Sequence, residues 1–332
     1  MLVVVVLAIV LSYILWELTI RWQESRDLPP GARVFPFRTI FRFYQDSAPH
    51  ERLTEMAKKH GDVFTIKRGR EMLTFVNSIS AAKETLKNRG NDFAGRACSQ
   101  ASSLLTKGSM GVMFGDYGPT WKLHSKIMYL AMHMNSCESL SLEEKICKEA
   151  DALVERFKDA MKEPFDPKYK IYLGVVNTFC AILFGNRYKI NDPEFYEIVE
   201  LNNRLRKISN NREILDIFPF LKYFPVELTN DINEAISFRD RLFKRKLQEH
   251  REAFMNANIR DLTDALLKAV SDVCSEKSRI KPDDTVTDDD LIVIMMDVFL
   301  AGVDPVSASF ILGSCVLDKP SARPNEITSR IG

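Results

Sequence analysis

Two carboxylates raise the chemical question in this sequence. Asp297 and Asp304 lie with Ala301 and Ala308 at i, i+4, i+7 and i+11 inside the apolar run Leu291–Val316. On a helix all four share one face. That face is small or acidic and the others are bulky and apolar, so the helix is expected to be buried nearly all round while one polar-edged stripe faces something else. Pro305 sits on the same stretch. Inside a helix a proline lacks the N–H and clashes with the carbonyl four residues back, at a cost of about 3 kcal/mol. A kink at Pro305 is expected, which frees the Ala301 carbonyl for water or a ligand. The plainer reading is an irregularity, or a helix that ends near Val303. Six cysteines (Cys98, Cys137, Cys147, Cys180, Cys274, Cys315) are scattered without a CxxC pair, and no two histidines stand at ligand spacing. The pattern reads as reduced, structural thiols in a cytosol-facing body, with no metal site visible.

The elements that must position these residues follow from the patterning. Thr287 can cap the long helix, and Asp288, Asp289 and Asp290 suit the positive end of its dipole. A membrane span is the competing reading of this run. It is disfavoured by the two acids, each costing roughly 2.5–3.5 kcal/mol at a bilayer centre, and more weakly by Gly302, Pro305 and Gly313. The 332 residues are 45% hydrophobic and 27% charged, with a formal net charge of +1, which gives no sign of a nucleic-acid partner.

At the other end, Leu2–Trp16 carries no charge, and the apolar character continues to Ile20. A helix of this length, about 28 Å, crosses a bilayer core. No basic n-region or small-residue cleavage site marks a cleavable leader. Arg21, Arg26, Arg33 and Arg38 all follow the segment, so the body is expected on the cytosolic side. Residues 1–21 are therefore read as an anchor, 22–38 with Leu28-Pro29-Pro30-Gly31 as a stiff hinge, and 39–332 as the folded body. Phe35, Phe37, Phe41 and Phe43 either extend an apolar surface toward the bilayer or pack on the body.

Helices are expected at Pro49–His60, from Ser78 to Asn88, from Pro119, and over Leu142–Lys162, Ile171–Leu183, Pro193–Ile208, Leu228–Asn256 and Leu262–Cys274. Val63–Lys67 and Met72–Val76 alternate around Arg68-Gly69 as a hairpin. The long Gly- and Ser-rich stretch Gly90–Gly118 reads as loop with short helical pieces. The fold class is mainly α with a small N-terminal β-sheet.

Several stretches now stand in order: an N-terminal anchor, Leu28-Pro29-Pro30-Gly31, Phe93-Ala94-Gly95-Arg96, Phe114-Gly115-Asp116-Tyr117-Gly118-Pro119-Thr120-Trp121, and Ala301-Gly302-Val303-Asp304. Together they resemble microsomal cytochrome P450 monooxygenases, nearest to steroid 17α-hydroxylases and their xenobiotic-oxidising relatives. Ile214–Pro225 is similar to the loop between the helices that roof the substrate pocket in that group. The resemblance implies a P450 fold and a haem b cofactor whose iron carries a Cys thiolate that favours O–O cleavage. It implies an apolar, steroid-like substrate, electrons from NADPH–cytochrome P450 reductase, and the endoplasmic reticulum membrane.

Site roles also come from the resemblance. Ala301 and Gly302 match the small residues against porphyrin and oxygen. Asp304 matches the acid of an acid–alcohol proton relay. Trp121 and Arg96 match donors to the haem propionates. Asn202 and Arg239 match polar substrate contacts, and Phe114 a pocket wall. Taken singly, Trp121 and Phe114 read as core, Arg96 as a solvated charge, Asp304 as a buried polar group, and Asn202 and Arg239 as exposed helix residues.

Three departures stand beside these matches. Pro305 and Val306 occupy the position where the alcohol is usually Thr, with Ser307 turned away by the helix. Ser125 replaces the usual Arg of Trp-x-x-x-Arg, with Lys126 beside it as a point charge. The Glu-x-x-Arg helix and the Cys-bearing haem loop of the family do not occur in the 332 residues. The expectation is a C-terminally truncated P450 domain, inactive by itself. The competing readings are a non-catalytic, membrane-tethered remnant and a two-span membrane protein without haem.

Overall fold

The computed structural model describes residue 12 and residues 28–32, 49–68, 71–97, 99–108, 111–138, 142–160, 165–254, 259–275 and 286–317. The expected anchor, most of the hinge, the Phe35–Phe43 stretch, the segment 276–285 and the C-terminal tail lie outside the described residues. The chain forms two compact units, residues 1–94 and 95–332.

In the first unit, β1 (Gly31–Ala32) runs parallel to β2 (Val63–Arg68), which pairs antiparallel with β3 (Glu71–Val76) from Val63–Val76 to Arg68–Glu71. That register leaves two residues to join β2 to β3, as the hairpin pattern requires. Helix α1 (Pro49–His60) ends at Gly61, whose φ of 99° is a left-handed stop. Phe64, Ile66 and Ala57 form a small core with Leu53, Met56 and Phe75, and the rings of Phe64 and Phe75 stack at 5.4 Å. Ser78 caps α2 (Ile79–Lys83), which continues as a π turn through Glu84–Asn88.

The second unit is helical: α3 (Gln100–Leu105), α4 (Pro119–Glu138), α5 (Leu142–Ala160), α6 (Lys168–Phe184), α7 (Pro193–Asn211), α8 (Glu213–Ile217), a 3-10 turn (Pro219–Tyr223), α9 (Glu227–Ala253), α10 (Leu262–Ser275) and α11 (Asp288–Leu317). The Ile214–Pro225 stretch, expected as loop, is thus largely short helix and turn.

Helix α11 is the long helix expected from the sequence. Thr287 and Asp290 close a capping box: the Asp290 N–H donates to Thr287 Oγ1 at 3.2 Å, and the Thr287 N–H donates back to Asp290 Oδ2 at 2.8 Å. The helix does not end at Val303 but runs through Pro305 to Leu317, and the Ser309 hydroxyl donates to the Pro305 carbonyl.

Its two halves differ. Leu291 to Met296 are buried on every side, whereas Val306, Phe310 and Leu312 are exposed. The length and apolarity of Asp288–Ser314 would suffice for a membrane crossing. Its N-terminal half nonetheless joins the core cluster with α4, α6, α9 and α10, the packing of a helix inside a protein body. Gly302 explains how closely α6 approaches: a Cβ there would overlap the Phe179 ring. Helix α6 itself stops at Gly185, left-handed at φ 67°.

Candidate functional site around helix α11

The stripe on α11 faces a loop and a cavity. Asp297 is buried, and its Oδ2 accepts the N–H groups of Val112 at 2.7 Å and Met113 at 2.9 Å. The Val112 carbonyl in turn accepts from the Trp121 indole N–H at 3.0 Å. One peptide segment is therefore held at its donor side by α11 and at its acceptor side by α4. Gly111 has φ 55°, and a Cβ on it would overlap Asp297 and Val293. Only glycine meets both demands. Asp116 closes the loop by accepting from the Arg96 N–H at 2.8 Å and the Tyr117 N–H at 2.9 Å. Burial raises the Asp297 carboxyl to about 6, against the two backbone donors and the Arg96 charge, all of which favour the ionised form.

Beyond this clasp lies a cavity of about 250 Å³. Leu300, Ala301, Asp304 and Pro305 of α11 form one wall, and Met113 and Phe114 of the loop another. Ala101, Ser102 and Leu105 of α3 face Leu205, Arg206, Ile208, Ser209 and Arg212 of α7 and its C-cap. Three residues named from the sequence, Phe114, Ala301 and Asp304, thus meet in one space.

The others are placed differently. Asn202 is fully buried, not exposed, and its amide donates to the Tyr172 hydroxyl at 2.9 Å and to Asp304 Oδ1 at 3.3 Å. It reaches the site through Asp304. Arg239 is likewise buried. Its guanidinium is occupied by Asp240 Oδ1, at 3.0 Å from Nε and 2.6 Å from Nη2, and by the Leu105 carbonyl. It stands behind the cavity wall and ties α9 to α3. Gly302 directs its missing side chain at Phe179, so its smallness has a packing cause. The Trp121 N–H is engaged by Val112, and Arg96 is exposed. Ser307 is buried, its hydroxyl has no hydrogen-bond partner among the described residues, and it does not line the cavity.

Some site features were not named from the sequence. Asp216, in α8, accepts the Gln100 N–H at 2.6 Å and so holds the start of α3. The Asp297 clasp joins positions about 185 residues apart, beyond any local pattern. Arg206, Ser209 and Arg212 recur at i, i+3 and i+6. That helical signal was available in the sequence.

A cytochrome P450 family profile matches residues 29–316. The chain belongs to the cytochrome P450 family. Its members are haem-thiolate monooxygenases, and membership implies a haem iron cofactor.

This P450 chain is 32% identical over 278 residues to a steroid 17-alpha-hydroxylase/17,20 lyase of Ictalurus punctatus, covering 83% of this chain and 54% of the relative. It is 31% identical over 275 residues to cytochrome P450 1A1 of Mesocricetus auratus, covering 79% and 51%. Among solved structures, a zebra fish cytochrome P450 with progesterone superposes with a TM-score of 0.71 at 25% identity, covering 83% of this chain and 61% of that one. The chain spans about half the length of the curated relatives it matches.

The described residues fit one side of a haem. Ala301 presents a small, exposed side chain on the cavity wall, the residue type a flat ring could approach. Among the described residues no cysteine lines the cavity: Cys180 is buried in the helical core, where burial pushes its thiol well above the usual range, and Cys147 and Cys274 lie elsewhere.

Proposed function

We propose that this chain forms the substrate-binding wall of a P450 monooxygenase that hydroxylates a steroid or a similar apolar molecule. The observation that carries this reading is the cavity uniting Ala301 and Asp304 of α11 with Phe114 and the inner face of α7. The relatives named as steroid hydroxylases and the neighbour solved with progesterone support the substrate class.

The parent activity would take electrons from NADPH–cytochrome P450 reductase. It would work at the endoplasmic reticulum membrane, with residues 1–21 as anchor, 22–38 as hinge and 39–332 on the cytosolic side. The haem, when bound, supplies oxygen activation at a thiolate-ligated iron. The residues of this chain would shape and orient. Phe114, Leu205 and Leu300 exclude water from the apolar body of the ligand. Asp304, steadied by Asn202, holds a proton-accepting oxygen at the cavity edge. Pro305 has neither a hydroxyl nor an N–H to pass that proton onward. Arg96 is assigned to the propionate edge, whereas Trp121, whose N–H is held by Val112, is assigned to positioning the loop.

With Pro305 and Ser125 at family positions for Thr and Arg, this chain is read as inactive by itself. Expression with haem available, followed by a carbon-monoxide difference spectrum and progesterone binding by equilibrium dialysis, tests this. The expected result is steroid binding without a thiolate-type band. A thiolate-type band overturns the inactivity, and absence of steroid binding overturns the role of the cavity.

A further inference from the structure

The cationic residues of α7 divide by face. On the side toward α9, Arg204 pairs with Glu200 at 2.9 Å and with Glu234, and Lys207 pairs with Glu227 and Asp231, both at 2.8 Å. On the cavity side, Arg206 and Arg212 flank Ser209, and neither has a carboxylate partner among the described residues. Arg206 rests 6.0 Å from the centre of the Tyr172 ring and 3.4 Å from Asn203 Oδ1, both neutral. The charged groups of the cavity lining are these two guanidiniums and the Asp304 carboxylate, so its net charge is positive. A guanidinium recognises carboxylate, sulfate or phosphate through paired N–H donors, and a hydroxyl between two of them adds another donor.

We infer that the cavity takes an apolar molecule bearing a terminal oxyanion, a sulfated steroid or a long-chain carboxylate, with the oxyanion held at the Arg206–Ser209–Arg212 edge and the apolar body along Leu205, Phe114 and Leu300. Repulsion from Asp304 keeps the anion at that edge. The inference rests on the reading of this cavity as the substrate site and narrows the substrate class.

The test uses the full chain in neutral phosphatidylcholine nanodiscs, with empty discs subtracted. Equilibrium dialysis compares pregnenolone sulfate with pregnenolone, and dodecanoate with dodecanol. In one pair or both, the anion is expected to bind about tenfold tighter than its neutral partner at low salt, and the preference to shrink as ionic strength rises. Which pair shows the preference distinguishes sulfate from carboxylate. The R206Q/R212Q double variant is expected to lose the preference, and R206K/R212K to retain most of it. Equal binding of anion and neutral partner, or a preference that survives R206Q/R212Q, overturns the inference and leaves the proposed function standing. Failure of all four probes overturns both. If circular dichroism shows R206Q/R212Q unfolded, the salt response of the unaltered chain decides.

Discussion

Replacing Asp297 with Asn tests the clasp that shapes the site. The carboxyl is buried and raised to about 6, from the ordinary 3.8. Between those values the folded chain keeps a proton that the unfolded chain has released. Its contribution to stability is therefore complete below about pH 4 and is lost as pH rises through about 6. Two pKa units at 1.36 kcal/mol each set that contribution at about 3 kcal/mol. The geometry explains how the proton is accommodated. Among the described residues Oδ1 has no hydrogen-bond partner, whereas Oδ2 accepts both Val112 and Met113. Protonation at Oδ1 leaves both backbone bonds in place. The assay is urea unfolding of the unaltered chain and D297N across pH 4.5 to 8 in detergent. The difference in unfolding free energy between the two proteins should shift by about 2–3 kcal/mol against the unaltered chain as pH rises. D297A should lose about 2–5 kcal/mol at every pH, because two buried N–H groups are left without an acceptor. Parallel pH profiles for the unaltered chain and D297N would refute the reasoning.

Two further outcomes follow from the packing. Gly302→Ala places a methyl group within the Phe179 ring; overpacking should cost about 1–3 kcal/mol in thermal unfolding, with partial recovery in G302A/F179L, and an unchanged melting temperature would show that α6 and α11 are not in close contact. His250 joins the end of α9 to Asp261 at 2.9 Å, and although burial opposes the charged ring, the Asp261 bond and charge and the Lys246 carbonyl outweigh it and raise its pKa. The stabilisation is thus complete below the unfolded value near 6.5 and lost as pH rises through the raised folded value, so the gap between the unaltered chain and H250Q should narrow at alkaline pH, and a constant gap would count against an imidazolium–carboxylate pair.

The elements set by local pattern were legible in the sequence. Thr287 and the three aspartates marked the start of α11, Gly61 marked the end of α1, and alternation gave the β2–β3 hairpin. The alternative of a helix ending near Val303 did not hold, since α11 runs through Pro305 to Leu317. The resemblance brought Phe114, Ala301 and Asp304 to one cavity. It could not show that Arg239 turns to Asp240 and the Leu105 carbonyl, or that the Trp121 N–H is taken by Val112, since both depend on how distant backbone segments lie. Asn202 reads as a solvated helix residue until Tyr172 and Asp304 are placed beside it.

Helix α3 is fastened at its first residue by Asp216 and at its last by Arg239, so it travels with α8 and α9, and ion pairs link α9 to α7. The Gly111–Trp121 loop is fastened instead to α11 and α4. The cavity therefore lies between two jaws joined away from it by the Arg251–Asp288 pair of α9 and α11, and the Asn202–Asp304 bond crosses the seam between them. A wide guest gains room by parting the jaws along that seam, and the same displacement takes the amide away from the carboxylate, so the girth of the guest decides whether that bond is kept.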